Sequence, residues 1–428
     1  MSPKAFTALV LLARLCALAS IGLPANAAGW TQNQFLITFW SPPPATDENL
    51  TRVAAEGFNL TWTAVEGLEV AARHGLRAML TSDLLKSATL DDPAKCAQLD
   101  ALIKRVKNHP ALEAYFLIDE PGAEAFPGLA RLVAHLRELD PAHLAYINLF
   151  PTYASAEQLG VSTDAAEQAR RSFPANFAGI GADDGNALRY REYLRQFTTT
   201  IQPDLLSYDH YHFLKEKDGE QYFLNLSLIR QTALEVRRPF LNIIQADTIE
   251  KTWRLPNANE MRWLAFTTMA YGGRGISYFT YWGPRDYNGL YVDGKPRPLL
   301  GAVAALNHEI LRFGPALMEL NSVGVYHSAP LPLGTEGIPA QCPVQITGQG
   351  EFVLGLFGQD SQPAAFMIVN RNYKQPIKAR AIVAISGRKL EELDRTTGRW
   401  VRRQSLRGKR IVKLKLAPGD GRLFRVVN

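Results

Sequence analysis

The chain has 428 residues, of which 46% are hydrophobic and 21% are charged, and its formal net charge is +6. This composition is that of a soluble globular protein, which excludes disordered and fibrous chains. The length exceeds one ordinary domain and suffices for a large barrel followed by a smaller unit.

Residues 1–27 have the pattern of a signal peptide. Lys4 supplies the positive charge, an apolar run follows it, and Ala-Asn-Ala at 25–27 is a small-residue cleavage site. Arg14 interrupts the apolar run, so no stretch of about 20 apolar residues remains to span a membrane. We therefore expect a periplasmic or secreted protein with no integral membrane segment after signal removal.

Between residues 28 and 323, short apolar runs alternate with helical patterns eight times. The strand-like runs are 34–40, 58–64, 76–82, 112–118, 144–150, 204–211, 239–245 and 275–282. Eight strand–helix repeats predict an α/β fold of the (β/α)8 TIM-barrel type. A doubly wound open sheet is the alternative, but the first turn, "WSPPPATDE", lacks the glycine-rich phosphate-binding pattern of that fold.

Residues 324–428 change to closely spaced strands with turn signals, which predicts a small all-β sandwich. Residues 371–428 hold 17 Lys or Arg and 4 Asp or Glu, a balance of 17 − 4 = +13. We interpret this excess as a solvated basic surface, with contact to an anionic polymer or envelope surface as the alternative. Aromatic residues are sparse there, which argues against nucleic acid.

The carboxyl ends of barrel strands are where barrel enzymes place their active sites. At these positions the sequence has carboxylates, amides and large aromatic residues. Aromatic faces stack on sugar rings, and paired carboxylic acids are what glycoside hydrolysis requires. In "YFLIDEPGAE", Glu120 follows an apolar run, and desolvation there would keep it protonated near neutral pH. The alternative is a purely structural role, in which Glu120 caps the next turn.

These features resemble a glycoside hydrolase of the clan A barrel type with a C-terminal β-sandwich. The resemblance implies that Glu120, at the end of the fourth strand, is the general acid/base. It also places Trp282 at the floor of the subsite for the sugar that is cleaved. Two positions depart from the clan pattern: Asp119 stands where asparagine precedes the acid/base, and Gln245 and Asp247 stand where a glutamate nucleophile ends the seventh strand.

Asp209, flanked by aromatic residues in "SYDHYHF", is the expected nucleophile or base, and Asp247 is the second candidate. A carboxyl separation from Glu120 of about 5 Å would indicate a retaining enzyme, and about 6.5–9.5 Å an inverting one. On an ideal strand Asp119 and Glu120 point to opposite faces, so we expect Glu120 alone to face the pocket unless the strand end twists. The expected sugar-binding residues are Trp40, Asp119, Asn148, Tyr208, His210, Tyr211, Gln245, Asp247, Tyr278, Tyr281 and Trp282.

We therefore predict an exported glycosidase that acts on a carbohydrate substrate without a cofactor. A non-catalytic carbohydrate-binding or envelope scaffold barrel is the alternative, because a fold does not dictate activity. A metal-dependent hydrolase using His210 and His212 is a third reading, and it would need ligands from other strands. Asn257 and Glu260 are spaced as a capping box, and Trp253 and Trp263 are interpreted as packing residues.

Overall fold

The computed structural model describes residues 29–162, 164–165, 167, 185–249, 252–283, 288–359, 361–405 and 411–428. The predicted signal peptide, residues 1–27, lies outside these ranges, as do residues 168–184. Within the described ranges, no helix is both long and apolar enough to cross a membrane.

Eight parallel strands form the first sheet, in the order β1-β8-β7-β6-β5-β4-β3-β2. They are β1 (Leu36–Phe39), β2 (Leu60–Thr63), β3 (Arg77–Leu80), β4 (Leu112–Asp119), β5 (Leu144–Leu149), β6 (Leu206–His210), β7 (Phe240–Gln245) and β8 (Gly275–Phe279). Each falls within one predicted run or extends it by a single residue, so the (β/α)8 prediction is confirmed. Asn59 joins β1 to β2: its backbone amide donates to the carbonyl of Ile37, and its side chain bonds Ile37 N and Phe35 O at 2.8 Å each.

Helices follow the strands and cover the outside of the barrel. They are α1 (Asp47–Ala55), α2 (Leu68–Arg73), α3 (Pro93–Val106), α4 (Phe126–Leu139), α5 (Ala156–Leu159), α6 (Gly185–Ile201), α7 (Tyr222–Val236), α8 (Ala258–Ala270) and α9 (Leu299–Met318). The predicted capping box is present at the start of α8, where the side chains of Asn257 and Glu260 each accept from the other's backbone amide. Three short strands, β9 (Trp282–Gly283), β10 (Tyr291–Val292) and β11 (Lys295–Pro296), form a small sheet after β8.

The C-terminal region is a sandwich of two antiparallel sheets. Its strands are β12 (Asn321–His327), β13 (Val344–Gln349), β14 (Phe352–Gln359), β15 (Gln362–Asn370), β16 (Ile377–Val383), β17 (Lys389–Leu393), β18 (Trp400–Ser405), β19 (Ile411–Leu416) and β20 (Gly421–Val427). One sheet has the order β12-β14-β15-β20-β17-β18, and the other has the order β13-β16-β19. Side chains such as Leu354, Phe366 and Val412 fill the space between them, so the sandwich has its own core.

The six-stranded sheet packs its other face against the barrel, chiefly through β14, β15 and helix α8. The indole of Trp263 in α8 is buried there and donates to the carbonyl of Arg371 at 2.8 Å, which confirms Trp263 as a packing residue. Beside it, Arg262 donates to Glu309 of α9 and to Asp420, and Arg395 also donates to Asp420. Asp420 and Glu309 are buried. Arg262 and Arg395 supply the positive charges that compensate these buried carboxylates.

Replacing Asp420 by alanine should destabilise the protein because Arg262 and Arg395 would both lose their shared acceptor. Since these arginines are partly exposed, we expect the free energy of unfolding to fall by about 2 kcal/mol, below the full cost of breaking a buried ion pair. Urea denaturation followed by circular dichroism measures this. The matched control is Asp83→Ala, which removes an exposed pair with Lys86 and should change stability by less than about 0.5 kcal/mol. Equal effects of the two changes would contradict the assigned role of Asp420.

Candidate active site

A β-bulge near the end of β4 decides which side chains enter the barrel. Phe116 pairs with Tyr146 on β5, but the next pair is Ile118 with Ile147, so Leu117 is an extra residue. Phe116 faces the interior, whereas Leu117 and Ile118 both pack on the outer core. The bulge shifts the alternation by one residue, so Asp119 points inward opposite Asn148.

Glu120 reaches the same pocket by a different route. Its φ angle is +43°, a left-handed conformation that is uncommon for a residue with a side chain, and its amide donates to the carbonyl of Asn148 at 3.0 Å. This backbone reverses the alternation that would otherwise turn Glu120 away from the interior. Both acids of the Asp119–Glu120 pair therefore lie at the carboxyl end of the barrel.

Asn148 connects the acids of β4 and β6. Its Nδ2 donates to Asp119 Oδ1 and to Asp209 Oδ1, both at 3.0 Å, which uses both protons of the amide. The Ser207 hydroxyl donates to Asn148 Oδ1 at 3.2 Å and also bonds the hydroxyl of Tyr146 at 2.7 Å. Because this network fixes the amide orientation, Asn148 holds two carboxylates from different strands in place.

Glu120 and Asp209 form a carboxyl pair. Burial raises the pKa of Glu120 to about 7, assisted by the negative charge of Asp119 and opposed by the contact with Asp209. Burial likewise raises the pKa of Asp209 well above its ordinary value, and the charge of Glu120 adds to this. The contact is a close approach and not a regular hydrogen bond, since Asp209 Oδ2 has no partner of regular geometry. Asp209 is buried and Glu120 is half-buried, and two such carboxylates in contact are not both ionised, so the pair retains a proton near neutral pH.

Asp247 lies two residues beyond β7, where alternation from the inward Gln245 turns its side chain toward the interior. It is fully buried, and neither carboxyl oxygen has a hydrogen-bond partner. Burial raises its pKa to about 8, and this is only partly opposed by the nearby backbone amide of Asp247 itself and by the charge of Arg297. Burial raises the pKa of Tyr211 well above its ordinary value, and the negative charges of Asp209 and Asp247 add to this.

Two groups of aromatic rings in mutual contact lie at the carboxyl end of the barrel. The Tyr211 ring centroid is 4.4 Å from that of Trp253 and 5.2 Å from that of Phe279. Trp40 is 4.8 Å from Trp62, which in turn is 4.8 Å from Phe116. Such contiguous apolar faces next to carboxylates suit a sugar ring, which has apolar faces and hydroxyl edges.

Gln245 has a structural role in the site. Its amide donates to the carbonyls of Phe213 and Arg254 at 3.0 and 2.8 Å, and its Oε1 accepts from Phe213 N at 2.9 Å. These groups belong to the loops after β6 and β7. Gln245, which we expected to contact sugar, instead ties the two loops together and has little bonding capacity left.

Four other expected sugar-binding residues point away from the pocket. Strand alternation puts Tyr208, His210 and Tyr278 on the outer face, and Tyr281 follows the end of β8. Tyr208 is fully buried in the core outside the sheet, and His210 bonds Asn225 of α7 at 2.9 Å. Tyr278 donates to Asn307 of α9, and Tyr281 donates to Glu56. The structure therefore corrects their assignment to the pocket. Trp282 is half-buried at the rim and stacks on Tyr291 at 5.4 Å.

The structure adds Trp62, Phe116, Trp253 and Phe279 to the site, none of which the sequence analysis assigned there. Phe279 is in register with Gln245, and the alternation of β8 could have identified it in place of Tyr278. Trp253, expected to be a packing residue, lies on the loop after β7 and is half-buried beside Tyr211. No pattern within a single strand indicates Trp253, because its position depends on how the loop folds back.

The histidines near β6 do not converge on one metal position. His210 faces Asn225, whereas His212 stacks on Trp263 at 4.9 Å. Burial lowers the pKa of His210 to about 4 and that of His212 to about 3, so both are neutral. Among the described residues, the one cluster of three metal-binding side chains is Cys96, Asp100 and His135 on α3 and α4, outside the barrel.

Replacing Asp247 by asparagine should stabilise the protein at neutral and alkaline pH. The folded protein keeps a proton on Asp247 up to about pH 8, whereas the unfolded chain releases it near pH 4. The native state thus binds more protons in this window, and the Asp247 contribution to stability is lost as pH rises from about 4 to 8. We expect the variant to melt at a higher temperature than wild type at pH 8 and to lose this advantage at pH 4. A gap that is independent of pH would contradict a buried, protonated Asp247.

The fold is similar to two solved structures over most of the chain. A glycoside hydrolase family 5 structure from Bacteroides vulgatus ATCC 8482 aligns with 89% of this chain and 85% of its own, at TM-score 0.53 and 12% identity. A structure described as a glycoside hydrolase aligns with 92% of both chains, at TM-score 0.54 and 12% identity. The sequence itself matches no protein-family profile and no curated protein. The chain thus has the architecture of these glycoside hydrolases, a (β/α)8 barrel followed by a C-terminal β domain.

Proposed function

We propose that this protein is an exported glycoside hydrolase in which Glu120 protonates the departing glycosidic oxygen. The observation that carries the proposal is the carboxyl pair of half-buried Glu120 and buried Asp209 at the carboxyl end of the barrel, with aromatic rings nearby. The likeness in fold to glycoside hydrolases supports the same reaction class. The predicted signal peptide supports export.

Glu120 suits the acid role because it is half-buried and its pKa is raised to about 7. An acid with this pKa is protonated in an appreciable fraction of molecules near neutral pH and still strong enough to donate. Asp209 is more deeply buried behind it. We assign Asp209 the role of sharing a proton with Glu120, which differs from our initial expectation that Asp209 is the nucleophile or base.

The reason for this reassignment is separation. Carboxyl groups that act on opposite faces of an anomeric carbon are at least about 5 Å apart, because the sugar lies between them. The side chains of Glu120 and Asp209 interact directly, which would place their carboxyl groups closer together than this. Asp247 is three strands from β4 in the barrel order, and its free carboxyl oxygens fit the second role, as nucleophile or base.

In the nucleophile role, Asp247 would attack the anomeric carbon as Glu120 protonates the leaving oxygen. Water activated by Glu120 would then break the resulting ester. Asp247 must be ionised while Glu120 is protonated, although its pKa of about 8 is the higher of the two. The competent state is therefore a minor population, greatest between about pH 7 and 8. Asp119 is exposed and is held by Asn148, and it would accept a hydrogen bond from a sugar hydroxyl. Tyr211, Trp253 and Phe279 would lie against the sugar ring.

Replacing Glu120 by glutamine should impair cleavage in proportion to how much the leaving group needs a proton. We expect kcat/KM for 4-nitrophenyl glycosides to fall by about 10²–10⁴, the usual contribution of a general acid. Activated 2,4-dinitrophenyl glycosides leave without protonation, so we expect their kcat/KM to change far less. Steady-state kinetics on a panel of both series measures this, and the wild-type pH profile should peak between about pH 7 and 8.

Glu66→Gln is the matched control, since Glu66 is an exposed carboxylate that follows β2 on the same side of the barrel. It should leave both series unchanged. Equal losses on the two aryl series in Glu120→Gln would contradict the proton-donor role. A wild type that binds glycans but cleaves none of the panel would favour the carbohydrate-binding scaffold.

Azide distinguishes the two candidates for the second carboxylate. In Asp247→Ala, a small anion can occupy the vacated space and attack the anomeric carbon of a 2,4-dinitrophenyl glycoside. We expect azide to restore activity to this variant and to yield a glycosyl azide of inverted configuration, identified by NMR. Asp209→Ala should show no such rescue. The opposite pattern, rescue of Asp209→Ala alone, would return the nucleophile role to Asp209.

A further inference from the structure

The two sheets of the sandwich differ in whether their basic residues have acidic partners. On the six-stranded sheet, Arg422 and Arg403 pair with Glu392, and Arg425 pairs with Glu391. These arginines are locally neutralised. The second sheet, β13-β16-β19, has no acidic residue on any of its three strands. The four basic residues of these strands therefore have no acidic residue on their own sheet.

Strand alternation places this charge on the outward face of the three-stranded sheet. In β16 and β19 every second residue is buried against the sandwich core, and the residues between them are exposed. Lys378 is directly opposite Lys415, and Arg380 is directly opposite Lys413. Because the core lies behind this sheet and the barrel lies beyond the other sheet, these four cations face away from the barrel.

No ion pair neutralises these cations within the described part of the chain. The shallow depression over them is lined by Thr347, Gly348, Lys378, Ala379, Arg380, Lys413, Leu414 and Lys415. Like charges directly opposite each other on a sheet are destabilising. A face kept only for solubility would be served as well by mixed charges. Two adjacent pairs of like charge therefore point to an anionic partner that supplies the missing counter-charge.

The next row of the same face indicates the chemistry of that partner. Ile382 is directly opposite Ile411, and their exposed fractions are 43% and 36%. The remaining outward positions, on β13, are Gln345, Thr347 and Gln349, so the face carries no aromatic ring. Single-stranded nucleic acids are bound with stacked aromatic residues. Cations next to exposed aliphatic side chains instead fit the headgroups and outer acyl region of a lipid layer.

We propose that the outward face of β13, β16 and β19 binds the surface of membranes that contain anionic phospholipids. Lys378, Arg380, Lys413 and Lys415 contact the headgroup phosphates, and Ile382 and Ile411 enter the interface. This peripheral contact would hold the barrel on the far side of the sandwich, away from the bilayer. It is independent of the hydrolase reaction.

The test is co-sedimentation of the full mature chain with vesicles of 3:1 phosphatidylcholine and phosphatidylglycerol, compared with phosphatidylcholine alone. Wild type should bind the anionic vesicles more tightly, and added salt should weaken binding. Each cation near such a surface contributes roughly fivefold in affinity, so Lys413→Gln/Lys415→Gln should bind roughly 25-fold more weakly. The matched control is Lys104→Gln/Arg105→Gln, which removes two exposed charges from α3 and should bind like wild type.

Lys413→Gln/Lys415→Gln removes one member of each like-charge pair and should not lower the melting temperature. Loss of vesicle binding at an unchanged melting temperature would therefore support this face as the binding surface. Ile382→Ser/Ile411→Ser should further reduce the binding that survives at high salt. Equal weakening in the α3 control would assign the effect to net charge and overturn the proposal. So would wild-type binding to soluble polygalacturonate without binding to anionic vesicles, since that result would identify a polysaccharide as the partner.

Discussion

The candidate site depends on one neutral side chain that holds acidic groups together. The side-chain amide of Asn148 donates one hydrogen bond to Asp119 and one to Asp209, and the Ser207 hydroxyl fixes the orientation of this amide. A lysine or arginine in this position would hold the same carboxylates but would also lower their pKa values. An amide positions them without supplying positive charge. Burial therefore still raises the pKa values of Asp119 and Asp209, although the hydrogen bonds from Asn148 partly oppose this.

The barrel could be predicted from the sequence because its signal is repeated. Each of the eight strands is a short apolar run between helical patterns, and an error in one run would not have changed the count. The sandwich was predictable for the same reason. In β16 and β19 the alternation of buried and exposed residues is regular enough to be read directly from the letters.

The side-chain directions at the strand ends could not be predicted as well. A strand buried on both faces has no polar–apolar alternation, so the sequence does not show which residues face the interior. Tyr208, His210 and Tyr278 were assigned to the pocket, but along their strands they belong to the set of alternate residues that faces outward. On β4 the bulge at Leu117 and the left-handed backbone at Glu120 each change the parity once, and neither has a sequence signature here. Trp253 depends on loop packing, which period-based reasoning does not address.

Gln245 has a consequence for how such a site can diverge. The side-chain amide of Gln245 donates hydrogen bonds to the backbone carbonyls of Phe213 and Arg254. It therefore links the loop that carries Tyr211 to the loop that carries Trp253. An insertion or deletion in one of these loops would pull on the other, so neither can change length independently. Relatives that acquire a different substrate would have to remodel both loops together or first lose the glutamine.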